Sequence, residues 1–122
     1  MTPAYCLYLS VKARLAPGFS FEDFEKCVAG WNLIPMDEGD QMIGVVMVRG
    51  NEMHVGFVRQ GACIRRHIRR IFVPLLDTLG EVVTTVPLEN VRGLMFCERL
   101  GFSRVKEENG VVQMKCVRCN YA

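Results

Sequence analysis

Residues 90–102 constrain the fold of this 122-residue chain more than any other stretch. They follow a β-branched run at residues 81–86, Glu-Val-Val-Thr-Thr-Val, whose side chains suit an extended, pleated backbone. Asn90 is a strong helix N-cap, because its side-chain oxygen accepts from an otherwise orphaned N–H of the first turn. The helix it opens ends at Gly101, the residue type that best adopts the left-handed conformation closing a helix, and Phe102 returns the chain to a core. Asn90, Gly93, Leu100, Gly101 and Phe102 therefore read as the capping, packing and turning residues of a strand–helix–strand unit.

The rest of the composition narrows the class. Half of the residues are hydrophobic and 23% are charged, which suits a packed globular chain and excludes a disordered one. The net charge of +2 is too small to argue for nucleic acid by itself. The longest apolar run, around residues 43–48, is far shorter than the roughly 20 residues that a membrane span needs. The opening Met1-Thr2-Pro3-Ala4-Tyr5 lacks the basic and apolar regions of a secretion signal, and a cytoplasmic protein is expected. Of the six cysteines, only Cys116 and Cys119 form a close pair. Zinc would need two further ligands, and a redox pair would stand at a helix start, so free thiols are expected.

Residues 4–11, Ala-Tyr-Cys-Leu-Tyr-Leu-Ser-Val, read as a first strand from their apolar and aromatic content. Ser20, with Asp23 three residues on, predicts a helix start, and Phe21, Phe24, Val28 and Trp31 share one face of a helix over residues 20–30. A short strand at 33–36, a turn at 37–40 and a strong strand at 41–49 follow, with Gly50-Asn51 as hairpin chemistry before a strand at 52–58. From Ala62 a helix turns Ile64, Ile68, Ile71 and Leu75 inward, with Pro74 expected to kink or divide it and Gly80 to stop it. Residues 102–106 and 111–117 form a closing hairpin around Glu108-Asn109-Gly110. No repeat, linker or low-complexity segment interrupts residues 1–122, which read as one α+β domain.

Residues 90–102 resemble the last block of the GNAT (GCN5-related N-acetyltransferase) family, Asn-x-x-Ala-x-x-Leu-Tyr-Glu-Lys-Leu-Gly-Phe. The spacing agrees at every step, and Cys97 stands where the family has the tyrosine that is usually its general acid. The likeness is good over residues 41–117 and weaker over the first forty, where the family usually places two helices between its first two strands. The chain is similar to small phage-encoded GNAT-like proteins with trimmed cofactor loops. The resemblance implies a single GNAT-like domain with a mixed, mostly antiparallel sheet and flanking helices. It also implies an acetyl-CoA-dependent N-acyltransferase that moves an acetyl group directly to an amine of a small molecule or protein. It equally admits a non-catalytic GNAT-fold protein with a binding or structural role, for example in a phage virion or against a host protein. No motif marks the acceptor, and the oligomeric state is open, a homodimer included.

In the family, acetyl-CoA fills a gap between the splayed fourth and fifth strands. Backbone groups of the fourth strand hold the pantetheine, and the pyrophosphate rests on helix-start amides reached through Arg/Gln-x-x-Gly-x-Gly/Ala. The matching segment here runs over residues 57–66. By resemblance, Phe57 and Val58 would bind pantetheine through their backbone, and Gly61, Ala62, Arg65 and Arg66 the pyrophosphate, with Arg59 adding charge. Asn90 would reach the cofactor arm or cap its helix only. Gly61 and Ala62 are adjacent where the family separates them, and the loop is several residues short, so the motif is degenerate. Arg65, Arg66, Arg69 and Arg70 admit three readings: a solvated helix face, attraction of CoA phosphates, or a surface for nucleic acid or an acidic partner. The absence of interleaved aromatic residues speaks against nucleic acid.

Direct acetyl transfer needs a base for the amine proton and an acid for the leaving thiolate. Glu52 and His54 have the same parity on the strand matching the family's fourth, so they share a face; His54 has the intrinsic pKa of a base near neutrality, and the alternatives are a structural strand histidine and, for Glu52, a solvated turn residue. Cys97 is either the proton donor, through a water, or a packing thiol beside Phe96. Covalent cysteine catalysis has no specified basic partner in its support.

Overall fold

A computed structural model of the chain describes residues 1–59 and 64–121. It forms two compact units, residues 1–62 and 63–122. Their charges differ in sign: the first carries five basic and seven acidic residues, the second ten basic and six acidic.

The first unit begins with a helix, α1 (Pro3–Val11), and a 3-10 turn (Lys12–Arg14), where a strand was expected over residues 4–11. The Thr2 side chain accepts from the Tyr5 N–H at 3.2 Å, and Pro3 occupies the first helical position, where its fixed φ is favourable and its missing N–H costs nothing. Cys6 and Leu7 are buried against Phe24, Val28 and Val45. Helix α2 (Phe21–Cys27) is opened by the expected cap: Ser20 accepts from the Asp23 N–H and Asp23 from the Ser20 N–H, both at 3.1 Å.

Strands β1 (Asn32–Glu38), β2 (Gln41–Arg49) and β3 (Glu52–Phe57) pair antiparallel in sequence order. Gly56 fixes how α1 meets this sheet. A Cβ there would collide with the Ser10 hydroxyl and come within 2.9 Å of Leu7 Cδ1, so only glycine lets the helix lie this close to β3.

In the second unit one helical stretch runs through α3 (Arg65–His67), a π-helical turn (Ile68–Phe72) and α4 (Val73–Leu79). Pro74 is accommodated by that wide turn, in which the Val73 N–H donates to the Ile68 carbonyl five residues back. Gly80 ends the stretch at φ 80°. Strand β4 (Val82–Pro87) pairs antiparallel with β6 (Val111–Cys116), which pairs on its other side with β5 (Ser103–Glu108). Val112, Met114 and Cys116 are buried while Gln113 and Lys115 are exposed, the alternation of a strand with one covered face. Asn109 and Gly110, at φ 53° and 75°, form the β5–β6 turn. Helix α5 (Val91–Leu100) lies between β4 and β5, its first turn capped by Asn90, whose Oδ1 accepts from the Gly93 N–H at 3.2 Å. Among the described residues no helix is long and apolar enough to cross a membrane.

Candidate active site

Glu52 and His54 lie together on β3, as their parity requires. Glu52 Oε2 is 2.7 Å from His54 Nε2, with the two side chains 34% and 28% exposed. Trp31, just before β1, meets the imidazole edge-on at a ring separation of 5.6 Å, and the Arg49 guanidinium lies 4.3 Å above the Trp31 ring. Arg49 is opposite Glu52 in the β2–β3 register. At this exposure the ion pair contributes little to stability, about 0–1 kcal/mol. Its chemical effect is to fix one ring nitrogen of His54 against a carboxylate, which orients an imidazole for proton transfer.

The carboxyl end of β3 leads into the segment expected to hold the phosphates. Phe57 ends the strand, and the Val58 N–H donates to the Ile43 carbonyl at 2.9 Å, so that donor is already used. Arg59 turns to the β1–β2 hairpin, pairing with the Glu38 carboxylate and donating to Gln41 Oε1 at 3.0 Å. A cavity of about 580 Å³ there is bordered by Asp37 and Asp40 together with Arg59. Gly61 and Ala62, with Gln60 and Cys63, lie outside the described residues.

The arginines of the second unit have separate roles. Arg65 lies over the Tyr121 ring at 5.2 Å, Arg69 Nε donates to the Tyr121 carbonyl at 3.3 Å, and Arg70 is 3.3 Å from His67 Nδ1. Arg66 is exposed. A cavity of about 340 Å³ has Ile64, Ile68, Phe96 and Leu100 as its apolar lining and Arg65, Arg99 and Tyr121 as its polar border. Apolar walls with two guanidinium groups suit a ligand that joins a flat apolar body to an anion. Arg99 and Tyr121 are absent from the expected site. Arg99 has a signal in the sequence, since it occupies the lysine position of the 90–102 block; Tyr121 has none.

Asn90 is engaged as an N-cap. Cys97, on α5, is half-buried, and its thiol is pushed up to about 11, first by burial and then by the neighbouring Cys116 and Glu98. A thiol that keeps its proton to such a pH is a poor nucleophile at neutrality and a reluctant donor to a thiolate of ordinary affinity. Cys116 and Cys119 are free and buried; Cys116 Sγ donates to the Arg118 carbonyl at 3.3 Å. Among the described residues no group of three or more His, Cys, Asp or Glu could hold a metal ion.

No family model matches the chain, and no curated protein matches it in sequence. Solved structures do match it in fold. PH1933 from Pyrococcus horikoshii OT3 is 15% identical with a TM-score of 0.70, covering 95% of this chain and 88% of that one. Spermidine N-acetyltransferase from Vibrio cholerae, in complex with CoA and spermine, is 18% identical with a TM-score of 0.65 over 97% of this chain and 84% of its own. PaiA N-acetyltransferase from Thermoplasma acidophilum, in complex with coenzyme A, is 9% identical with a TM-score of 0.64 over 94% and 87%. At these identities the likeness is one of fold: the chain has the α+β fold of the GNAT acetyltransferases, as residues 90–102 predict.

Proposed function

We propose that the chain is an acetyl-CoA-dependent N-acetyltransferase acting by direct transfer to an amine. The observation that supports this most is the arginine-bordered apolar cavity, in a chain that aligns over nearly its whole length with two acetyltransferases seen with coenzyme A. Acetyl-CoA supplies the activated acyl group as a thioester. Arg65 and Arg99 attract the phosphates of its nucleotide end, with Arg66 adding charge, and the apolar walls take its base. By resemblance alone, Phe57 and Val58 would offer backbone groups to the pantetheine, and Gly61 and Ala62 would serve the pyrophosphate; the Val58 N–H and the Asn90 side chain already have partners in Ile43 and the Gly93 N–H.

His54, oriented by Glu52, takes the proton that the acceptor nitrogen loses as its bond to the acyl carbon forms and the carbon–sulfur bond breaks. Water returns a proton to the departing thiolate. Cys97 is replaced in that role because burial keeps its own proton in place. Arg59, drawn to Glu38 and Gln41, is left out of the phosphate site.

The second reading, a non-catalytic protein of the same fold, is favoured by two observations: Cys97 in place of the tyrosine, and Arg59 turned toward acidic neighbours. Thermal melting with acetyl-CoA separates the two. At a hundred times its Kd, a ligand of the native state adds about 2.7 kcal/mol. For a chain of this size that raises Tm by roughly 8 °C. No shift at millimolar acetyl-CoA would sink the enzyme reading and leave the second.

A further inference from the structure

The cavity beside Arg65 is bordered on one side by a segment from the far end of the sequence. After β6, residues 117–121 cross back over the C-terminal end of α5 as a short strap. The Asn120 N–H donates to the Leu100 carbonyl at 2.8 Å, and Asn120 Nδ2 donates to the Arg99 carbonyl at 3.0 Å. The Tyr121 N–H points to Cys119 Sγ at 3.4 Å, and its carbonyl accepts from Arg69. Gly101 is what allows the crossing, since a Cβ there would collide with the Arg118 carbonyl. The strap therefore places the Tyr121 ring at the cavity through backbone contacts, and the ring in turn carries the Arg65 guanidinium on its face at 5.2 Å.

We propose that Tyr121 is the residue through which this chain recognises the nucleotide end of its acyl carrier. The inference rests on the acetyl-CoA reading and deepens it. The ring has two roles. It holds Arg65, one of the longest and most mobile side chains, in place beside the cavity, so less side-chain freedom is lost when a phosphate binds. It also offers a flat aromatic surface to the base of the nucleotide, across a cavity otherwise lined by Ile64, Ile68 and Phe96. Such a site selects carriers that keep the nucleotide over those that end at the pantetheine.

The test is calorimetric titration of the full chain with coenzyme A and with its fragment adenosine 3′,5′-bisphosphate, using wild type, Tyr121→Ala and Tyr121→Phe. The backbone contacts of residue 121 survive both substitutions, and melting curves check that each variant is folded. Loss of the ring is expected to weaken both ligands by roughly tenfold, near the low end of what stacking a base on an aromatic ring contributes. Tyr121→Phe is expected to bind like wild type, because the ring and not the hydroxyl faces the ligand. Unchanged binding of either ligand by a folded Tyr121→Ala would overturn the proposal, as would equal losses in the alanine and phenylalanine variants. A wild-type chain that binds neither ligand would overturn the acyl-carrier reading itself, an outcome distinct from the first two.

Discussion

Gly101→Ala is expected to be unusually damaging for an exchange that adds one methyl group. Gly101 closes α5 at φ 124°, a conformation that costs a residue with a Cβ about 1 kcal/mol. The new methyl would also meet the Arg118 carbonyl, and relief requires the strap to move. Movement breaks the two hydrogen bonds by which Asn120 holds the carbonyls of Leu100 and Arg99, each contributing about 1 kcal/mol net. The total is about 3 kcal/mol, or roughly 10 °C in Tm for a chain of this length. Gly80→Ala is the control. Gly80 also closes a helix, at φ 80°, but nothing lies within 4 Å of a Cβ built there, so it should lose only the backbone part, about 1 kcal/mol. Urea unfolding of both variants at one temperature gives the comparison. Equal losses would refute the claim that the strap is built against Gly101. A folded Gly101→Ala should also show weakened coenzyme A binding that Gly80→Ala does not share.

Other outcomes follow from the thiols and from β3. The Cys97 thiol is held above its ordinary value, so it contributes stability that is complete below about pH 9 and is lost as pH rises towards about 11. The alkaline loss measured by denaturant unfolding should be smaller in Cys97→Ala, and an identical pH dependence would contradict the assigned burial. In the native protein at pH 8, the exposed Cys27 should be alkylated well before Cys6, Cys97 and Cys116, whose thiols burial pushes up, as peptide mass mapping can follow. His54→Gln should lower turnover by about 10²–10⁴-fold, the usual contribution of a general base, with coenzyme A affinity intact. Glu52→Gln should lower it less, since the imidazole remains and only its orienting partner is lost.

The hairpins of this fold are legible in the sequence because their turns depend on local chemistry: Gly50 and Gly110 supply the positive φ values that the strands on either side need. The capping box at Ser20 and Asp23 is legible for the same reason, both partners lying within four residues. Helix α1 is not. Residues 4–11 are apolar almost throughout and carry neither a clear helical period nor strict alternation, so their state is decided by the Thr2 cap, Pro3 and packing against Gly56 of β3. Pro74 does disturb its helix, as a widened turn before it and not as a break.

The candidate site divides in the same way. Alternation along one strand is enough to place Glu52 beside His54. The direction of Arg59 depends on Glu38 and Gln41, 21 and 18 residues away, and no local pattern encodes it. Tyr121 reaches its cavity only because Asn120 bonds the end of a helix some twenty residues earlier, a long-range contact that leaves no periodic trace.

Whether the Arg65–Arg99 cavity receives the phosphate end of an acetyl-CoA substrate is decided by isothermal titration with acetyl-CoA of wild type, Arg65→Ala and Arg99→Ala. Wild type should bind saturably and each variant should lose roughly tenfold to a hundredfold in affinity, the contribution of one charge-assisted hydrogen bond. Binding that is undetectable in wild type, or equally tight in all three proteins, would contradict that role for the cavity.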